Sequence, residues 1–210
     1  MRNMIKPTEK DLLAVARSYY EAGDKLIYSV KANTFLSGSE LFDQEHGGRG
    51  RIDCSTYIHL ILQGISYEKS PYVSGAADDF YRTDCPWAFR EIAELLWAGR
   101  GQGRRQPLRR AYQLAKYFWD QGKARTDDKW RSGDLLFFQV RPEKVDFYLS
   151  FDIFQAIYHI GIAAEDCSEM YESSGNQTVN IEENYNRPGI RMSSVAARRK
   201  PLFYVRLTEE

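Results

Sequence analysis

The feature that most constrains this chain is the order of its two kinds of pattern: segments with helical periodicity come first, and strand patterning takes over after Ser132-Gly133-Asp134. That triplet reads as a turn. Leu135-Leu-Phe-Phe-Gln-Val140 follows as a strand apolar enough to be buried on both faces. Ile157-Tyr-His-Ile-Gly-Ile-Ala163 reads as a second strand and Glu169-Met-Tyr-Glu-Ser173 as a third, joined by a turn at Asp166-Cys167-Ser168. Arg191 to Val195 adds a fourth, and Leu202 to Leu207 closes the sheet. Helices followed by strands predict an α+β domain with a mostly antiparallel sheet, because alternating units would be needed for a parallel one.

On the helical side, Thr8-Glu9-Lys10-Asp11 resembles a capping box. Leu12, Val15, Ala16, Tyr19 and Tyr20 follow it on one face, and Gly23 ends the helix. Asp24 to Gly50 reads as irregular apart from a short apolar piece at Leu26-Ile27-Tyr28, and it finishes in the loop Gly47-Gly48-Arg49-Gly50. Those glycines lack the Lys-Ser/Thr ending of a phosphate loop. Pro86 and Pro107 each sit where a helix starts, with Phe89, Ile92, Ala93 and Leu96 inside the first and Leu108, Ala111, Tyr112, Ala115 and Phe118 inside the second. Between them, Arg100 to Arg110 holds five arginines. No aromatic interleaves them as a stacking platform would need, so the run reads as a solvated loop.

A chain of 210 residues is long enough for one domain, spanning 1–210, with a sizeable core. Its 29 Lys and Arg balance 29 Asp and Glu, which gives no argument for a nucleic-acid or membrane partner. Met1 to Lys10 has no apolar signal-peptide core, and no stretch approaches the roughly 18 apolar residues of a membrane span. A cytoplasmic protein is expected from the sequence as given, or a secreted, wall-located one if a leader precedes it. Cys54, Cys85 and Cys167 are an odd number with no CxxC pair, which argues against a zinc site and against a disulfide framework. Neither a metal nor an organic cofactor is expected.

The chemistry centres on Arg51-Ile-Asp-Cys-Ser-Thr-Tyr-Ile-His-Leu-Ile-Leu-Gln-Gly64. Asp53 is a good N-cap, Tyr57, Ile58, Ile61 and Leu62 recur at helical spacing, and Gly64 is a natural C-terminal stop. Cys54 therefore lies among free backbone N–H groups, which favour a thiolate and can receive an oxyanion. A cysteine nucleophile needs an imidazole within reach and a group that orients it. His59 lies about 140° round the helix from Cys54 and cannot face it; His46 falls in the glycine-rich loop. His159 remains. Strand alternation places it with Gly161 and Ala163, a face kept small where a helix end could approach. The next strand offers Tyr171, Glu172 or Ser173 as orienting group. Glu172 is favoured, since a carboxylate both fixes the tautomer and stabilises the imidazolium.

With these pieces in order, the chain resembles the NlpC/P60 cysteine peptidases, a papain-like family of cell-wall hydrolases. Asp53-Cys54-Ser55 is similar to the family's Asp-Cys-Ser block. Ser132-Gly-Asp-Leu-Leu-Phe-Phe138 is similar to its Pro-Gly-Asp-Leu-hydrophobe-Phe-Phe block, and His159-Ile-Gly-Ile162 to its His-Val-Gly-Ile block, all in the family's order. The resemblance implies a papain-like fold with Cys54 as nucleophile, His159 as general base and a third polar residue, here Glu172, where the family more often has His, Asn or Gln. It also implies that Tyr28, Asp53 and Ser55 line the substrate. The implied activity is hydrolysis of peptide bonds in peptidoglycan stem peptides, between D-glutamate and a diamino acid. The Cys54-to-His159 separation, 159 − 54 = 105, exceeds the family's. The surplus falls in a helical insertion at about 66–125 and an aromatic-rich one at about 141–156, which includes Phe147, Tyr148, Phe151 and Phe154. Two other readings share these motifs: a non-catalytic binding module on the same fold, and a thioester acyltransferase or amidase. Oligomeric state is not legible.

Overall fold

The computed structural model describes residues 6–29, 41–44, 47–76, 87, 110–139, 153–175, 189–198 and 200–208. The helix expected at Pro86, the arginines from Arg100 to Arg109, and His46, Cys85, Phe147, Tyr148 and Phe151 lie outside the described residues.

Helix α1 (Glu9–Glu21) starts where its sequence signal lies. The Thr8 hydroxyl accepts from Asp11 N–H at 3.2 Å and Asp11 Oδ2 accepts from Thr8 N–H at 2.8 Å, so two otherwise orphaned donors are satisfied. Leu12, Leu13, Val15, Ala16 and Tyr19 face inward, whereas Tyr20, expected on that face, is 40% exposed and turns its ring edge to Tyr171. Among its described residues, the segment from Asp24 to Gly50, read as irregular apart from Leu26–Tyr28, holds β1 (Leu26–Tyr28), β2 (Phe42–Asp43) and the start of β3 (Arg49–Ile52). β3 is the middle strand, parallel to β1 and antiparallel to β2. These strands are two to four residues long, and β3 is interrupted by Gly50, so no period-2 signal stands out.

β3 leads directly into α2 (Cys54–Gln63), which is closed by Gly64 at φ 72°. Every residue of α2 is buried. Its sequence suggests one apolar face, yet α1, β6 and β7 all pack against it, and polar side chains carried inside bond locally: Ser55 Oγ donates to Asp53 Oδ1 at 2.9 Å and Gln63 Nε2 to His59 O at 3.2 Å. Ile58, Leu60, Ile61 and Leu62 are fully buried. Each such side chain contributes roughly 1.5–3 kcal/mol relative to exposure. Two tyrosine hydroxyls tie α1 to this region: Tyr57 Oη donates to Ala16 O at 2.9 Å and Tyr19 Oη to Ile65 O at 2.8 Å.

After the short α3 (Pro71–Ser74), α4 (Ala111–Asp120) begins at Ala111 rather than at Pro107, because Arg110 is extended and its N–H donates to Gln113 Oε1 at 2.8 Å. The second sheet has the order β4-β9-β5-β6-β7-β8 and is antiparallel throughout: β4 (Ala124–Arg125), β5 (Leu135–Gln139), β6 (Ile157–Ala163), β7 (Glu169–Ser173), β8 (Ile190–Ser194) and β9 (Phe203–Val205). The described architecture is thus α+β. Leu135, Phe137, Ile160, Ile162 and Tyr171 face the helices, and Leu136, Phe138, Ala163, Met170 and Tyr204 form a smaller core on the other face with Val195. The Ser-Gly-Asp turn serves this sheet. Asp134 O accepts from Ala163 N–H at 2.9 Å, and the Asp134 carboxylate takes Arg206 Nη2 at 2.8 Å and Arg131 N–H at 2.8 Å.

Two irregularities in β6 shape the site. Phe138 pairs with His159 but Gln139 with Ile157, so Tyr158 is an extra residue and the strand bends there. Pairing with β7 covers only Ile162↔Tyr171 and Ala163↔Met170, after which the two strands part toward His159. β7 stays paired to β8 as far as Ser173↔Ile190. The result is a fork between β6 and β7 on the side of α2.

Candidate active site

The N-terminus of α2 fills this fork. Asp53 holds the cap: its Oδ1 accepts from Thr56 N–H at 2.7 Å and from Ser55 Oγ at 2.9 Å, and its carbonyl accepts from Tyr57 N–H at 3.0 Å. On the β7 side, Ser173 Oγ donates to Ile52 O at 3.0 Å and anchors the residue before the cap. The Cys54 thiol meets the backbone N–H of Ile160. That amide points toward β7, as does the one four residues on, where Ala164 N–H donates to Glu169 O at 2.9 Å. The sulfur therefore sits at the mouth of the fork, one residue along β6 from His159.

His159 lies on the face of the sheet opposite Ile160, with its ring 6.1 Å from that of Phe138. The missing side chain of Gly161 on this face makes room for Met170, whose Sδ would lie 2.8 Å from a Cβ there. The small face noted in the sequence thus accommodates the neighbouring strand rather than the body of the cysteine helix. His159 Nε2 is 2.6 Å from Glu172 Oε2, with both residues buried. The carboxylate is saturated by other donors: Ser174 Oγ and Ser193 Oγ at 2.8 Å each, Arg191 Nε at 3.2 Å and Arg198 Nη2 at 2.9 Å on Oε1, and Arg198 Nε on Oε2.

Electrostatics follow from this arrangement. Burial acts to raise the Glu172 carboxyl, but the His159 hydrogen bond and the Arg198 guanidinium outweigh it and hold Glu172 well below the usual carboxylate range. Burial lowers His159, helped by the charges of Arg198 and Arg191 and opposed by Glu172. The ring is therefore held neutral, with Nε2 engaged by Glu172. Cys54 departs from the thiolate expected at a helix N-terminus. Burial, followed by the Asp53 carboxylate beside it, pushes the thiol up to about 12, against the amides of Ile160 and Ser55 and the charge of Arg198. A dipole effect of about 1 kcal/mol cannot offset the desolvation of a buried anion.

The structure thus brings His159 and Glu172 into contact and sets Cys54 beside the same stretch of β6. Tyr28 is half-buried and pairs with Ile52, two residues before Cys54. Asp53 and Ser55, 2% and 3% exposed, direct their described bonds into the cap of α2. His59 is buried within α2. Arg198 and Arg191 do not emerge from the sequence reading. Arg191 and Ser193 could have been found by alternation on β8, since both share the Glu172 face. Arg198 sits on a single 3₁₀ turn (Val195–Arg198), which no periodicity marks. Among the described residues no group of His, Cys, Asp and Glu is placed to hold a metal, and Cys54 and Cys167 are free thiols. No known family matches this chain, and no curated protein does.

Proposed function

We propose that this chain is a cysteine hydrolase of amide bonds, papain-like in fold and similar to the NlpC/P60 peptidases, that cleaves peptidoglycan stem peptides between D-glutamate and a diamino acid. The observation that carries the reading is the 2.6 Å contact of His159 Nε2 with a buried, anionic Glu172 at the fork into which α2 delivers Cys54. In the resting protein the sulfur keeps its proton. As the substrate carbonyl arrives, His159 Nδ1 takes that proton while sulfur attacks, and Glu172 stabilises the imidazolium that forms. Thr56 and Tyr57 amides are used by the cap and the Ser55 amide faces the sulfur, which leaves the N–H of Cys54 itself for the oxyanion. The imidazolium then protonates the departing amine, and water deprotonated by His159 releases the acyl group from sulfur.

The test is turnover of stem peptides containing the D-glutamyl-diamino acid bond. Wild type should cleave, and Cys54→Ala and His159→Ala should fall by 10³-fold or more, a typical loss for a member of such a constellation. Undiminished cleavage by Cys54→Ala removes the proposal. The high thiol value favours one alternative, a binding module that keeps the scaffold without catalysis; it predicts no turnover by wild type and stem-peptide binding that survives Cys54→Ala.

A further inference from the structure

The buried carboxylate at the fork gathers more positive charge than it balances. Arg198 Nε bonds Glu172 Oε2, the same oxygen that meets His159 Nε2 at 2.6 Å, and Arg198 Nη2 bonds Oε1 at 2.9 Å. Arg191, directly opposite Glu172 on β8, adds its Nε at 3.2 Å on Oε1. Two guanidiniums thus share one carboxylate, and a protonated His159 would be a third cation on it. The two arginines are not equivalent. The Arg191 side chain is 30% exposed, so water screens it, whereas that of Arg198 is 6% exposed and grips the carboxylate from inside. Packing fixes its place: Val195, at the start of the same 3₁₀ turn, is buried in the smaller core, and its N–H donates to Ser168 O at 2.8 Å.

We propose that Arg198 is a positioning residue for His159: by taking both oxygens of Glu172 it keeps the carboxylate ionised and in place, which fixes the ring proton on Nε2 and leaves the ring uncharged. An ionised carboxylate accepts hydrogen bonds and donates none, so the nitrogen it meets carries the proton and the lone pair lies on Nδ1. Without Arg198, the charge of Glu172 would be free to hold an imidazolium instead. The other groups around the pair do not supply this control. Ser174 and Ser193 are neutral donors to Oε1, Phe138 on β5 is apolar, and the Tyr158 hydroxyl lies beside the Arg198 guanidinium. On the α2 side Cys54 keeps its proton, and the Asp53 carboxylate bonds into the helix cap. Resting on the hydrolase reading above, Arg198 thereby keeps His159 able to take a proton at pH values where an ordinary imidazole, titrating near 6.5, is already charged.

The experiment is a pH series of nitrogen-15 NMR spectra of the full chain with labelled histidine, in which the ring nitrogen shifts report charge and tautomer, and the His159 signals are assigned by their loss in His159→Gln. The wild-type ring is expected to be neutral at pH 7 with its proton on Nε2. Arg198→Gln should raise the titration midpoint by about one pH unit or more, tenfold in proton affinity, and Arg198→Lys, which restores a charge beside Glu172, should recover at least half of that shift. A wild-type ring that is charged at pH 7 or protonated on Nδ1, a smaller shift in Arg198→Gln, or a midpoint in Arg198→Lys as high as in Arg198→Gln overturns the assignment. Charge and tautomer of the wild-type ring are read without any substitution at Arg198, so the assignment stays open to refutation even if Arg198→Gln does not fold. Because the ring is read without substrate, failure of the hydrolase reading shows separately, as absent cleavage with these shifts intact.

Discussion

Replacing Arg198 by alanine removes the central counter-charge of the site while leaving most of the Glu172 shell in place. Arg198 Nε and Nη2 both bond the carboxylate, and the guanidinium is 6% exposed. Breaking a buried pair from one side costs about 3–5 kcal/mol because the remaining charge stays desolvated. Here His159, Arg191, Ser174 and Ser193 still reach Glu172, which places the expected loss at the lower end, about 3 kcal/mol. For a chain of this size that is a fall in Tm of about 6–12 °C. Urea unfolding at pH 7 reads the free energy directly, and Glu172→Gln with the double variant completes the cycle. The coupling term should reach about 2 kcal/mol, since the two side chains touch. The deficit of Arg198→Ala should shrink below pH 4, because Glu172, held low in the folded protein, contributes stability that is present above its ordinary range and lost as pH falls through its folded value. A loss under 1 kcal/mol that adds to the loss from Glu172→Gln would refute the reasoning.

The same rule sets the pH window of stability. His159 is lowered, so its contribution is present above about pH 6.5 and declines below it, and Cys54 is raised from 9.0 to about 12, so stability declines above about pH 9. Thermal melts from pH 4 to 11 should show a plateau between those limits, and a maximum at pH 5 would contradict it. Alkylation at pH 8 should modify Cys167, partly exposed, well before Cys54, which is 7% exposed; mass mapping that finds Cys54 labelled first would contradict its burial. Gly189→Ala should be far more damaging than Gly161→Ala. The former forces a Cβ to 2.4 Å from the Leu26 carbonyl oxygen at φ 62°, whereas the latter meets chiefly the movable Met170 Sδ; equal unfolding free energies would contradict the packing.

Much of this site was legible because it rests on local rules. Asp53 as cap and Gly64 as stop are sequence signals for α2, and the bounds of β6 and β7 follow from apolar runs ended by turn residues. Period-2 geometry puts Glu172 on the face opposite Tyr171 and Ser173, the face where His159 lies. What escaped the sequence was set by distant chain segments. The thiol value reflects chiefly how completely α2 is enclosed by α1, β6 and β7, to which the flanking Asp53 carboxylate adds. Arg198 lies 26 residues after Glu172 on a turn with no periodicity, so only the fold reveals its contact. The β1–β3 pairing, parallel and three residues long, left no pattern above that of an irregular stretch.

The most direct test is to mix the wild-type chain with a stem peptide containing a D-glutamyl-diamino acid bond, quench in acid within milliseconds to seconds, and map the adduct by mass spectrometry. The account predicts a thioester on Cys54 carrying the D-glutamyl fragment, absent in His159→Ala. Cleavage that leaves Cys54 unmodified at every time point, or a peptide left intact by the wild-type chain, contradicts it.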